Sequence, residues 1–223
     1  ASARPAQHIL NPIQVDRAHF IIRTLLCRQD YTRIEELEDL LFMNLTSVKQ
    51  ILNRAREILK LFDLKIVSKS RHGMKISGRE HDIRLCLNYE YGNYSTTSLR
   101  LAQPEEYGRL YRFDPQVQQR IELIIRSLQE MFISYNLSVS SLASLSRLIL
   151  ISAVRSQNGH PLDYPESTII RFTNRNSYYV AKLVLNQCAE LLQCSFIRED
   201  IILLAIGFVG FRIALSPDEM FRD

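Results

Sequence analysis

The chain has 223 residues, of which 46% are hydrophobic, with few Gly and Pro and no Trp. This composition excludes a disordered chain and allows one large or two small folded domains. No apolar run reaches the ~18 residues that a membrane span requires, and no signal peptide opens the chain. We therefore expect a cytoplasmic protein that does not enter a membrane. The absence of an initiator Met predicts that the chain is a piece of a longer protein.

The net charge of +4 is distributed unevenly along the chain. Residues 1–100 contain 16 basic and 11 acidic residues, whereas residues 101–223 contain 12 and 13. The segment from Asn44 to Arg84 alone has ten Lys/Arg and four Asp/Glu, a charge of +6. A basic N-terminal part followed by a nearly neutral C-terminal part favours contact of the N-terminal part with a polyanion.

Three helices and two short strands are predicted after a linker at 1–12. Apolar residues at helical spacing indicate helices over 13–28, 33–42 and about 46–61, and Asn44 is the expected N-cap of the third. Strands at 64–67 and 74–77 flank a basic turn, and a connecting helix follows at 79–91. Helix, turn, helix and two-stranded wing form the layout of a winged helix-turn-helix, which we assign to residues 13–92.

The candidate DNA contacts lie off the apolar stripe of the third helix and at the tip of the wing. Side chains on a recognition helix reach base edges, and basic side chains on a wing reach phosphates. The candidates are Thr46, Ser47, Lys49, Gln50, Asn53 and Arg54 on the helix, and Lys69, Arg71 and His72 on the wing. The alternative interpretation is a solvated basic face of a small helical domain.

The pattern becomes entirely helical after a polar linker at 93–110. Asp114 followed by Pro115 is typical of a helix start. Helices are predicted over 115–135, 140–157, 166–173, 176–193 and 197–214. Short loops between them imply a bundle at 111–216, before a tail at 217–223. The predicted fold class is therefore mainly α, a winged helix-turn-helix followed by an all-α five-helix bundle.

No motif indicates an enzyme, a cofactor or a metal site. The chain has no Gly-rich phosphate loop, nucleophile elbow or paired-carboxylate motif. Its four Cys form no C-x-x-C pair, and no His–Cys cluster has zinc spacing, so buried free thiols are expected. Surface, linker or loop positions without a chemical role are expected for His8, His19, His81 and His160.

Two blocks, EDLLFMNLTSVKQILNRAREILKLFDLKI and SRHGMKISGREHDIR, carry a family resemblance. They resemble the second winged-helix segment of multidomain sugar-operon activators of the mannitol and lichenan type, which is a Mga-like winged helix-turn-helix. A wing-closing pattern, G-x-x-I-x-G-x-E-x-x-I-R, is matched from Gly73 to Arg84. The bundle resembles the PTS regulation domain (PRD), a module of activators and antiterminators controlled by the phosphotransferase system (PTS). The resemblance implies a regulator of a carbohydrate operon that binds double-stranded DNA and forms a homodimer through the bundle.

The bundle departs from the family pattern at both phosphorylated histidines. The family places one His seven residues before an Arg and another just before a Phe near the end of the last helix. The matching positions are Leu148, counted back from Arg155, and Gly207, beside Phe208. Neither residue can accept a phosphoryl group. The resemblance therefore implies no phosphorylation site in this chain, with PTS phosphocarrier proteins acting on domains outside it.

The start of the recognition helix also departs from the family pattern, and two functions stay open. The Arg that the family has there is Leu45 in this chain. One function is a DNA-binding transcriptional regulator. The alternative is a non-enzymatic dimerisation and interaction module whose winged helix no longer binds DNA specifically. The basic segment and the polar face of the recognition helix favour DNA binding.

Overall fold

The computed structural model describes residues 12–28, 30–94, 109–132 and 137–215. The chain forms two compact units, Ala1–Gly78 with Asn93–Leu110, and Arg79–Gly92 with Tyr111–Asp223. The predicted linkers at 1–12 and 93–110 lie almost entirely outside the described residues, and the predicted tail at 217–223 lies wholly outside them.

The first unit contains three helices and one antiparallel pair of strands. Their bounds are α1 Pro12–Cys27, α2 Ile34–Leu41, α3 Leu45–Lys60, β1 Lys65–Lys69 and β2 Gly73–Ser77. α3 packs against α1, α2 and β1. Its buried stripe consists of Val48, Ile51, Leu52, Ala55, Ile58 and Leu59. The predicted helix-turn-helix with a two-stranded wing is confirmed, and every end lies within two residues of its predicted position.

Local hydrogen bonds fix the starts of α2 and α3. The Asn44 side-chain oxygen accepts a hydrogen bond from the Ser47 N–H at 3.0 Å, which confirms the predicted N-cap of α3. At α2, the Glu36 carboxylate accepts from the Arg33 backbone N–H at 3.0 Å and from Arg28 at 2.6 Å. These bonds, the backbone one foremost, lower the pKa of Glu36. The segment that enters α2 is therefore held by a carboxylate that stays ionised at neutral pH.

A single residue before α2 pairs with the wing, which the sequence pattern did not predict. Thr32 and Met74 exchange two backbone hydrogen bonds of 2.8 Å in an antiparallel bridge. Both residues are buried. The wing is therefore attached to the start of α2 as well as to α3.

The second unit is entirely helical in its described part. The bounds are α4 Glu80–Tyr94, α5 Pro115–Phe132, α6 Val139–Gln157, α7 Glu166–Thr173, α8 Asn176–Leu192 and α9 Arg198–Leu215. α5, α6, α8 and α9 share one core that includes Ile121, Ile125 and Phe208, and α7 packs on α8 and α9. Asp114 accepts a hydrogen bond from the Gln116 N–H at 2.8 Å, as expected for the cap of α5. The predicted five-helix bundle is confirmed.

Buried charges join α4 to the bundle. Arg84 is fully buried, and its guanidinium donates to Asp200 at 2.6 Å and to Glu80 at 3.0 Å. Glu80 also accepts two hydrogen bonds from Arg155, at 2.8 and 2.6 Å. α4 thus belongs to the second unit by its contacts. The domain bounds 13–92 and 111–216 stay predictions.

The two positions aligned with phosphorylated histidines lie where helices of the bundle pack together. Leu148 is buried with Leu162 and Leu203. A Cβ added at Gly207 would lie 2.9 Å from Leu145 Cδ2, so the missing side chain allows α9 to approach α6 closely.

α6 alone among the described helices is long and apolar enough to cross a membrane. The expectation from the sequence that no apolar run is long enough is therefore corrected for α6. However, 61% of the apolar stretch is buried inside the protein, as in the core helix of a bundle.

Candidate nucleic-acid interface

The outer face of α3 carries polar side chains opposite its buried stripe. Residues three or four positions apart share one face of a helix, and an exposed set follows this spacing along the first half of α3. The exposed side chains are Thr46, Lys49, Gln50 and Asn53. They offer hydroxyl, ammonium and amide groups, which are the donors and acceptors that read base edges in a major groove.

The other two helix candidates, Ser47 and Arg54, are less accessible than the sequence predicted. Both are half-buried, and the backbone N–H of Ser47 is used in the cap of α3. The Arg54 Nε is buried without a hydrogen-bond partner among the described residues. Asn53 uses its side-chain oxygen to accept a hydrogen bond from Arg56 at 2.7 Å, which leaves its amide N–H groups as donors. Arg56, which was not a candidate, therefore lies beside Asn53.

The tip of the wing carries three exposed basic or titratable side chains, Lys69, Arg71 and His72. The strands pair in register from Lys65 with Ser77 to Lys69 with Gly73. A hydrogen bond of 3.0 Å from the His72 N–H to the Lys69 carbonyl closes the turn. Arg71 sits at a φ of +63°, within the left-handed region. In the described residues no carboxylate pairs with Lys69 or Arg71, which suits contact with an external anion.

Tyr31 connects the wing to the segment before α2. Its ring packs edge-on against His72, with 6.4 Å between ring centroids, and the Lys75 ammonium lies 4.9 Å from its centre. Neither Tyr31 nor Lys75 was a sequence candidate. No local pattern relates residue 31 to residues 72 and 75, so only the fold shows this contact.

The charge of the first unit is segregated between its elements. α2 carries four carboxylates, and three of them, Glu35, Glu38 and Asp39, lie around the 95% exposed Phe42. The cationic candidates for DNA contact, Lys49, Arg54, Lys69 and Arg71, lie on α3 and the wing instead. A polyanion is therefore attracted to α3 and the wing and repelled by the outer face of α2.

The described residues contain no group of three or more His, Cys, Asp or Glu that could hold a metal ion. Cys86 and Cys188 are buried, as expected, and burial raises the pKa of their thiols, whereas Cys27 and Cys194 are only partly buried. His81 was expected at a surface or linker position, but it lies half-buried on α4, where its Nδ1 is 2.6 Å from the Tyr164 hydroxyl and burial lowers its pKa. His160 lies in a loop, as predicted.

A recognition helix packed on two other helices and followed by a paired wing defines a winged helix-turn-helix, a class of DNA-binding domain. Residues 4–91 match the model of the Mga helix-turn-helix domain. This match supports a Mga-like helix-turn-helix regulator, because the family is one of DNA-binding transcription regulators and is not enzymatic. The match covers less than half of the chain and ends before the bundle. No curated protein matches the chain.

Proposed function

We propose that the chain is the DNA-binding and dimerising part of a cytoplasmic transcriptional regulator that controls a carbohydrate operon of the PTS. The observation that carries DNA binding is the exposed polar face of α3, next in sequence to a basic wing, within a domain that matches a DNA-binding family model. The proposal that the regulated operon is a sugar operon is based on the resemblance of the wing-closing segment to sugar-operon activators. The partner is double-stranded DNA.

In this proposal α3 reads bases and the wing holds the backbone. Thr46, Lys49, Gln50 and Asn53 contact base edges, because they are exposed on one face. Ser47 and Arg54 flank that face and contact phosphates. On the wing, Lys69, Arg71 and His72 contact phosphates, which set the position of the domain without specifying sequence.

Replacing both Lys69 and Arg71 with Ala tests the proposal. We expect weaker binding to every DNA sequence, and a plot of log affinity against log salt whose slope falls by about two units, because each lost phosphate contact releases about one counterion fewer. The measurement is a fluorescence titration of the full chain with duplex DNA at several salt concentrations.

The matched control is Lys60→Ala, which removes a cation that is already paired with Glu57 at 2.8 Å. Its slope should equal that of the unchanged protein. A double variant with an unaltered slope would remove the wing from the interface, and absence of binding by the unchanged protein at low salt would refute DNA binding itself.

The bundle is proposed to form a homodimer. Its described surface exposes several large apolar side chains, namely Leu123, Val139, Ile170, Tyr179 and Ile197. Symmetric dimers bury apolar side chains of this kind. We expect the full chain to sediment as a dimer at tens of micromolar. A strict monomer at that concentration would contradict the proposal.

The bundle is further proposed to be a PRD-like module without a phosphorylation site. Leu148 is buried and Gly207 has no side chain, so the two aligned positions have no nucleophile. PTS phosphocarrier proteins would then regulate the protein through domains that this chain does not contain.

The second candidate function is a dimerisation module whose winged helix no longer binds DNA specifically. The observation that favours it is Leu45, an apolar residue at the first position of α3 that is 40% exposed. This function predicts equal affinity for all duplexes at a given salt concentration. A regulator instead prefers its operator over random DNA by a factor of at least about 10³.

A further inference from the structure

An open groove of about 520 Å³ lies between the start of α2 and the tip of the wing. Arg33 and Glu35 line it on the α2 side, and Ser68, Lys69, Arg71 and Gly73 line it on the wing side. The groove therefore brings Arg33 next to two wing cations that follow it by more than thirty residues in sequence. Arg33 was not among the sequence candidates for DNA contact.

The groove concentrates positive charge. Three of its side chains are cationic, namely Arg33, Lys69 and Arg71, and Glu35 is the one carboxylate among the residues that line it. All three cationic side chains are exposed. None of them forms an ion pair with another residue of the described ranges. Cations held together in this way repel one another, and an anion in the groove removes that repulsion.

The backbone around the groove is fixed before any ligand arrives. Thr32, next to Arg33, forms the two 2.8 Å hydrogen bonds to Met74. The Arg33 N–H is held by Glu36, and Gly73 approaches the Thr32 carbonyl so closely that no side chain fits between them. The base of Arg33 and the tip of the wing are thus held at a set separation. Groups arranged in advance lose little conformational freedom on binding.

We propose that Arg33 is a DNA-contacting residue that forms, with Lys69 and Arg71, a groove along which the DNA backbone lies, with about one phosphate for each of the three cations. A guanidinium donates two parallel hydrogen bonds to a phosphate, and the Ser68 hydroxyl can donate another. The proposal rests on the DNA binding proposed above. It extends the interface from α3 and the wing to the start of α2, where Arg33 precedes the acidic residues of that helix.

Salt titration of the full chain with duplex DNA tests the role of Arg33. We expect Arg33→Ala to lower the slope of log affinity against log salt by about one unit and to weaken binding to all sequences about tenfold at 0.1 M salt. Arg33→Lys should keep the slope, because it keeps the charge. The control is Arg120→Ala, which removes an exposed Arg from α5 of the second unit and should leave the slope unchanged.

Glu35, the carboxylate that lines the groove, allows a test in which the affinity for DNA should rise rather than fall. Glu35→Gln should strengthen DNA binding, because it removes the one carboxylate that lines the groove. Its matched control is Glu38→Gln, on the same helix but lining the acidic surface around Phe42 rather than the groove. The inference is overturned if Glu35→Gln behaves as Glu38→Gln does, or if Arg33→Ala behaves as Arg120→Ala does.

Two further comparisons distinguish the role of Arg33 from the DNA binding proposed above and from a site for free phosphate. If Lys69→Ala/Arg71→Ala weakens binding and Arg33→Ala does not, the inference fails while the proposed function stands; if the unchanged protein binds no DNA, the proposed function fails. Inorganic phosphate, added against chloride at constant ionic strength, should not compete with DNA. Competition that disappears in Arg33→Ala would identify a site for free phosphate and overturn the assignment to the DNA backbone.

Discussion

Replacing Arg84 with Met is expected to lower the free energy of unfolding of the second unit by about 3–5 kcal/mol, because it leaves the buried carboxylate of Asp200 without its cationic partner. Arg84 is fully buried, and Asp200, which it contacts at 2.6 Å, is 1% exposed. Its second terminal nitrogen also donates to the Ser156 hydroxyl at 3.1 Å and to the His160 carbonyl at 2.9 Å. One side chain therefore holds α4, α6 and α9 and the loop after α6. Urea unfolding followed by far-UV circular dichroism measures the loss.

Arg79→Met, at the residue that precedes α4, is the matched control. Arg79 also pairs with a carboxylate, Asp82, at 2.7 Å, but its side chain is 72% exposed. Asp82 is only 8% exposed, but water screens the pair on its Arg79 side, so we expect a smaller loss, about 1 kcal/mol. The double variant Arg84→Met/Asp200→Asn should recover part of the stability, because it removes the unpaired charge. If Arg84→Met and Arg79→Met lower the free energy of unfolding equally, the burial of the Arg84–Asp200 pair does not add to stability.

The burial of Arg84 and its pairing with a distant residue could not be predicted from the local sequence pattern. In the sequence it counts toward the +6 charge of the segment from Asn44 to Arg84, as if that charge all faced a polyanion. In the structure it pairs with Asp200, which lies 116 positions further along the chain. Lys60 of the same segment is paired with Glu57. The surface charge available to DNA is therefore smaller than the composition of the segment indicates.

The helices and strands could be predicted because their causes are local. The apolar stripe of α3 repeats at helical spacing, and the Asn44 cap bonds to a residue three positions away. The exposed face of α3 follows from the same period. In contrast, the contact between Thr32 and Met74 has no local cause, since isolated bridges have no repeating pattern. Arg33 beside the wing depends on that contact, so the sequence alone could not identify it.

Placing Ala at Gly73 is expected to destabilise the first unit by about 3 kcal/mol and to detach the wing from the segment before α2. The added Cβ would lie 2.2 Å from the Thr32 oxygen, 2.5 Å from the Thr32 carbonyl carbon and 2.8 Å from the Arg33 nitrogen. These atoms belong to the backbone, so they cannot move aside without breaking the bridge. In addition, Gly73 has a φ of +111°, a conformation that residues with a side chain rarely adopt.

Gly159→Ala is the control that distinguishes the steric clash of the added Cβ from the strain of placing a side chain at a positive φ. Gly159 also has a positive φ, +78°, but a Cβ there meets nothing within 4 Å. It should cost only the conformational term, about 1–2 kcal/mol. The direct readout is hydrogen exchange of the Thr32 and Met74 amides, both of which are hydrogen-bonded in the bridge. Gly73→Ala should remove the protection of these two amides from exchange, and Gly159→Ala should not. If the amides stay protected in Gly73→Ala, the wing tolerates a side chain at this position and the bridge does not depend on the glycine.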